Sequence, residues 1–122
     1  MCTLNRYSQT VTQVPAQKPI LAYKAVMRFN GDAWKPLFAP YYPPGGWAFR
    51  EEYQAHTKPL ARRSTGPVSR TGFFAYRTAK VALKYHPGDA VVPVYLWGTV
   101  VVHTAGKGGA AGYRAEYMRI LA

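Results

Sequence analysis

The chain has few of the residues that disulfides, metal sites and acid–base chemistry require. Its 122 residues include one cysteine, Cys2, and three histidines. An internal disulfide is therefore impossible, and a zinc site built from Cys and His is not expected. Only five Asp and Glu residues are present, so a carboxylate pair for general acid–base catalysis is hard to assemble. The composition favours a binding protein with no metal, no cofactor and no catalytic residue over an enzyme.

Long apolar runs and targeting signals are also missing. No run approaches the ~20 apolar residues that a membrane-spanning helix needs. The N-terminus lacks the basic-then-apolar layout of a signal peptide. We therefore expect a protein of the cytoplasm with no membrane partner. A length of 122 residues suits one domain with its own core.

Positive charge is abundant. Sixteen Lys and Arg residues give a formal net charge of +11, which predicts a polyanionic partner, either a nucleic acid or an acidic protein surface. A solvated basic face is the alternative. The positive charge is centred between positions 58 and 84, a stretch with seven basic residues and no acidic one. The candidate contacts are six of these cations together with Arg114, for phosphates, and one tryptophan for base stacking. They are Arg62, Arg63, Arg70, Arg77, Lys80, Lys84, Arg114 and Trp47.

Hydrophobic periodicity predicts an α+β fold with a small, mainly antiparallel sheet and one or two short helices. Residues 1–19 are polar and are predicted to be a flexible N-terminal arm or an irregular first strand, and residues 20–122 a single domain. The predicted strands are 20–28, 47–53 (weakly), 72–76, 91–102 and 113–120. Residues 54–71 are predicted to be a loop, because Pro and Gly interrupt them.

A single helix is predicted at 79–85. Thr78 is its expected N-cap, with Val81, Ala82 and Tyr85 facing inward and Lys80 and Lys84 facing outward. The long strand at 91–102 is expected to break or bend at Pro93 and Gly98. Glycines in 106–112 predict a flexible hairpin turn rather than a phosphate loop, since no helix follows them.

Two resemblances add further expectations. The run Gly72-Phe-Phe-Ala-Tyr-Arg-Thr-Ala-Lys-Val-Ala-Leu-Lys-Tyr, then Val94-Tyr-Leu-Trp-Gly-Thr-Val and the closing Gly112-Tyr-Arg-Ala-Glu, resembles a family of small uncharacterised phage and bacterial proteins. The likeness covers about residues 20–121. It implies a phage or mobile-element setting, in the host cytoplasm, for a small basic binding protein. A virion structural or assembly component is an alternative in the same setting.

The same strand–helix–strand unit is similar to part of the ADP-ribosyltransferase fold. That resemblance implies an NAD-binding enzyme, in which Phe74 or Tyr76 stacks on nicotinamide and Glu116 is the catalytic acid. From the residues alone, Glu116 lies between Arg114 and Arg119 and is expected to form a surface salt bridge with them.

Overall fold

A computed structural model describes residues 4–5, 7–28, 34–36, 46–48, 50–55, 58–61, 72–85, 90–106 and 109–121. Within them the chain forms seven strands and one helix. In chain order these are β1 (Gln9–Val14), β2 (Ile20–Arg28), β3 (Trp34–Pro36), β4 (Glu52–Gln54), β5 (Phe73–Tyr76), α1 (Ala79–Tyr85), β6 (Ala90–His103) and β7 (Gly112–Ile120). All pairings between these strands are antiparallel.

Strand β6 is the centre of the sheet. Strand β7 pairs along one of its edges, and β1 and β2 share the other edge. Val14 lies opposite Gly98 and Ile20 lies opposite Leu96, so only one residue of β6 separates the two ladders. Strands β1 and β2 are therefore collinear. Residues 15–19 leave the ladder as a turn, in which Lys18 N–H donates to the Pro15 carbonyl at 3.1 Å.

The sheet closes on itself through β5. Tyr76 pairs with Tyr23 of β2 on one side and with Gly112 of β7 on the other, and β7 returns to β6. Strand β4 extends β7 and β3 extends β2. The result is a small, barrel-like sheet with one short helix in the described residues. An antiparallel sheet with a short helix was predicted; strand dominates the α+β mixture more than the sequence suggested.

Alternation along the strands places one apolar cluster inside the ring and a second under α1. The inner cluster is made mainly of Ala22, Val26, Val92, Val94, Leu96, Val100, Met118 and Ile120. The second contains Leu4, Tyr76, Ala82 and Ala110, with Tyr23 and Val91 packed against it. Strands β2, β5 and β6 therefore have apolar side chains on both faces, because α1 covers the outer one.

Helix α1 and its cap are as predicted. Thr78 Oγ1 accepts a hydrogen bond from Val81 N–H at 3.2 Å, which satisfies one of the helix's free amides. Ala82 is buried, while Lys80, Leu83 and Lys84 are exposed. The prediction for the Tyr85 side chain lies outside what the structure describes.

Of the two alternatives for the N-terminal segment, the strand rather than the flexible arm forms at residues 9–14, because β1 pairs with β6 at six consecutive positions, from Gln9 with His103 to Val14 with Gly98. The weakly predicted strand at 47–53 is shorter than expected: Trp47 makes one isolated bridge to Trp34, and β4 covers only residues 52–54. Of the predicted 54–71 loop, positions 56–57 and 62–71 lie outside the described residues.

The bend at Gly98 is confirmed, whereas β6 passes through Pro93 without a break. The register against β7 shifts between Trp97 and Val100, which marks a bulge. Gly98 has a φ of 85°, and a Cβ there would lie 2.6 Å from Tyr117 Cδ2. Only glycine fits this position without displacing the Tyr117 ring.

Candidate binding surface

The outer side of α1 carries cations at helical spacing. Lys80 and Lys84 are four residues apart, so their side chains lie on the same side of the helix, about 6 Å apart at Cβ. Arg77 directly precedes the capping residue, and all three side chains are exposed. No acidic residue occupies the first turn. Arg77, Lys80 and Lys84 are called the α1 basic face below.

The backbone beneath the α1 basic face is well anchored. Arg77 N–H donates to the Ala111 carbonyl at 3.3 Å, which ties the start of the helical segment to the residue before β7. Ala82 is fully buried on the underside, and the helix packs on β2, β5 and β6. Leu83, 59% exposed, adds an apolar contact among the cations. The helix therefore presents these side chains from a fixed platform.

Three of the predicted contacts, Arg62, Arg63 and Arg70, lie outside the described residues. Lys58, from the same basic stretch, is exposed.

Trp47 is not available for stacking at the surface. Its side chain is 2% exposed and packs edge-on against Phe73, with ring centroids 5.9 Å apart. The ring also faces the ammonium of Lys24, 5.4 Å from its centroid. The prediction that Trp47 contacts a partner is corrected. Its indole belongs to the core, because it fills space inside the closed sheet.

Arg114 is also buried, with no exposed surface. Its Nε–H donates to His103 Nε2 at 3.0 Å. Its Nη2 donates to Gln9 Oε1 at 2.9 Å and to the Leu60 carbonyl at 2.7 Å. The guanidinium thus joins β7, β6, β1 and the 58–61 segment. The prediction that Arg114 contacts a partner at the surface is corrected, since its donors are directed into the protein.

His103 completes this buried polar cluster. An arginine Nε–H can only donate, so Nε2 of His103 accepts and the proton sits on Nδ1, which donates to the Asn5 carbonyl at 2.8 Å. Burial lowers the pKa of His103 to about 4, with the nearby Arg114 charge acting in the same direction and the bond to Asn5 opposing them. The imidazole is therefore neutral at physiological pH.

The alternative catalytic residues do not come together. Tyr76 is 2% exposed and lies in the cluster under α1, so its ring has no open face. Glu116 is four residues along β7 from Gly112, the partner of Tyr76, which separates the two by about 13 Å of strand. Phe74, the other candidate for stacking, packs against the cluster under α1 and faces the Lys24 ammonium, 4.4 Å from its ring centroid.

Among the described residues, a backbone N–H holds the Glu116 carboxylate. Its Oε1 accepts a hydrogen bond from Thr99 N–H at 3.1 Å, beside the bulge at Gly98. The expected salt bridge with Arg114 or Arg119 does not form. Arg119 of β7 pairs instead with Glu52 on the neighbouring strand β4, and Arg114 is directed into the buried cluster. Of the described carboxylates, Glu51 directly precedes β4, Glu52 lies in β4 and Glu116 lies in β7. None of them lies on α1.

Lys24 is a buried residue whose role the sequence did not indicate. It is 5% exposed, and its Nζ donates to the Phe74 carbonyl at 2.5 Å. Its position between Ala22 and Val26 on β2, two fully buried residues of the inner cluster, is the signal that placed it inward. Burial of a lysine in a strand's inward series could have been predicted from that alternation.

The known proteins give no further guide: no family model matches the chain, and neither a curated protein nor a solved structure matches it. Among the described residues, no group of three or more His, Cys, Asp or Glu side chains could hold a metal ion. Among the described residues, no helix is long enough and apolar enough to cross a membrane.

Proposed function

We propose that this protein binds a polyanion, with nucleic acid as the main candidate, through the α1 basic face, and that it does so without catalysis. The observation that carries the proposal is that Lys80 and Lys84 lie exposed on the same side of an anchored helix, with the exposed Arg77 directly before the capping residue. No acidic residue occurs between Glu52 and Asp89 in the sequence, so positive charge predominates in that stretch of the chain.

The composition of this face supports contacts to phosphates rather than to base edges. Lysine and arginine on an exposed surface bind the phosphates of a nucleic-acid backbone, whose charge is the same for every base sequence. Trp47, the expected stacking ring, is in the core. We therefore propose binding with little sequence preference and strong dependence on salt concentration.

A salt titration tests the proposal. Fluorescence anisotropy with a labelled ~20-base-pair DNA duplex, and with single-stranded DNA and RNA of the same length, would give the affinity from about 50 to 200 mM salt. Each duplex phosphate neutralised contributes about −0.9 to the slope of log K against log salt concentration. Replacing Arg77, Lys80 and Lys84 by glutamine should therefore make the slope shallower by about 2 to 3.

A matched variant separates the α1 basic face from overall charge. Replacing the exposed cations Lys18, Arg28 and Arg50 by glutamine also lowers the formal charge from +11 by 3, to +8. It should change the slope much less. Equal losses in both variants would show that overall charge, not this face, drives binding. No binding of DNA or RNA at 50 mM salt would refute the nucleic-acid proposal.

A polyglutamate chain of matched charge is the final arm. Binding of polyglutamate as tight as that of the duplex, with the same loss in the α1 variant, would identify an acidic protein surface as the partner chemistry and overturn the nucleic-acid assignment.

A further inference from the structure

Strand β1 pairs through only one of its two edges in the described part of the chain. It stands at one end of the strand order, with its full length paired to β6. Residues 10–13 are all exposed. In an antiparallel edge strand, every second residue directs its N–H and C=O groups away from the sheet. The outer edge of β1 is thus able to accept another strand.

The sequence of β1 itself contains none of the residues that usually prevent pairing at an edge. The strand reads Gln-Thr-Val-Thr-Gln-Val, with no charged residue and no proline within it. Natural edge strands are commonly protected by lysine, proline or a bulge.

The strand is also palindromic about Val11. Residues 9–13 read Gln-Thr-Val-Thr-Gln in both directions. If two copies pair antiparallel about a two-fold axis at Val11, Val11 lies opposite Val11, Thr10 opposite Thr12, and Gln9 opposite Gln13. Valine pairs and threonine pairs are favourable cross-strand neighbours. A two-fold interface requires such self-complementarity.

We propose that β1 is a homodimer interface, in which the outer edges of two β1 strands pair antiparallel across a two-fold axis at Val11. Val11, which is 46% exposed in the single chain, becomes covered by its symmetry mate. The exposed Tyr7 ring falls opposite Pro15 of the other copy, and Pro15, which has no N–H, ends the ladder.

Two features set the strength of this dimer. A pair of six-residue edges falls short of the ~1,200 Å² of buried surface that stable interfaces reach, so the association is weak and depends on concentration. The two copies also repel each other through their net charges. Added salt screens that repulsion, so dimerisation strengthens with salt, whereas polyanion binding weakens.

Sedimentation velocity of the full chain, from about 10 µM to 1 mM at low and at ~0.5 M salt, tests the proposal. We expect a concentration-dependent monomer–dimer equilibrium that is stronger at high salt. Val11→Lys places two ammonium groups opposite each other at the axis and should weaken association at least about tenfold. Leu21→Lys is the matched control, because Leu21 is a similarly exposed (48%) apolar strand residue away from the β1 edge; it should dimerise like the parent.

A charge-swap experiment separates loss of pairing from loss of folding. Val11→Glu alone should be monomeric, as Val11→Lys is, and an equimolar mixture of the two should recover a dimer, because opposite charges then meet at the axis. Three results would overturn the proposal: a monomer at every concentration and salt, a dimer unaffected by Val11→Lys, or a mixture that stays monomeric. The opposite salt dependences keep this outcome independent of polyanion binding.

Discussion

The α1 basic face and the buried polar cluster use arginine in opposite ways. Arg77 is exposed beside a helix cap, where water solvates its charge and the surroundings gain little from it. Arg114 is fully buried, and its donors bind His103, Gln9 and the Leu60 carbonyl. The exposed guanidinium of Arg77 can contact a partner. The buried guanidinium of Arg114 instead holds distant segments of the chain together. The side chain alone therefore does not tell which role an arginine has; its surroundings do.

Replacing the buried arginine gives the largest expected effect. Arg114→Met leaves the His103 Nε2, Gln9 Oε1 and Leu60 acceptors without this donor in a buried site, and should lower the free energy of unfolding by about 3 kcal/mol or more. Urea unfolding followed by circular dichroism measures it. Arg77→Met is the matched control. An equal, small change in both proteins would contradict the contrast between them.

Acid should weaken the buried cluster next. The folded state holds the pKa of His103 at about 4, below its ordinary 6.5, so the unfolded chain takes up a proton first as pH falls. The contribution of His103 to the free energy of unfolding is present in full above pH ~6.5 and is lost as the pH falls to ~4. It amounts to at most about 3 kcal/mol, at 1.36 kcal/mol per pKa unit. Unfolding free energies measured between pH 7 and 4 should show this slope, and His103→Gln should flatten it. An unchanged slope in that variant would assign the effect to other groups.

Removing the N-cap of α1 should lower the stability of the protein by a smaller amount. Thr78→Ala removes the hydroxyl that accepts the Val81 N–H, and capping changes of this kind lower stability by about 1 kcal/mol. Thermal or urea unfolding measures the loss, and Thr78→Ser should restore most of it. If the serine variant is as unstable as the alanine variant, the methyl group rather than the cap is what matters.

The smallest stability change belongs to the exposed arginine. Arg77→Met should shift the unfolding free energy by no more than about 0.5 kcal/mol, yet should make the salt slope of duplex binding shallower by about one. Paired unfolding and anisotropy measurements on the same preparation check both parts. A large stability loss would show that Arg77, like Arg114, has a structural role.

Local patterns predicted the elements whose signals are local. Strands β2, β5, β6 and β7 follow from alternation. Helix α1 follows from the cap at Thr78 and from the spacing that sets Lys80 and Lys84 opposite Ala82. For β1 the sequence left a flexible arm and an irregular strand both open, because four of its six side chains are exposed, which leaves no alternation to detect. Its place in the sheet is decided by the length of β6, a partner some ninety residues away in the chain.

The site residues divide in the same way. Lys80 and Lys84 were placed correctly at the helix surface, because a single turn of helix fixes their direction. The burial of Arg114 depends on Gln9 and Leu60, which approach it from distant parts of the chain. A basic residue in a strand reads as solvent-exposed until those covering segments are known. Trp47 was misplaced for the related reason that the ring of strands creates the space it fills.

The collinear arrangement of β1 and β2 has a practical consequence for engineering. Residues 15–19 connect two strands that β6 already aligns, so the peptide bonds of this turn contribute little to the register on either side. Cleavage there should yield an N-terminal peptide that remains bound to the remainder of the protein, and a synthetic peptide spanning residues 4–14 should re-associate with a chain that begins at residue 18. Such fragment complementation would make β1 a replaceable part, into which fluorophores or crosslinkers could be introduced by chemical synthesis.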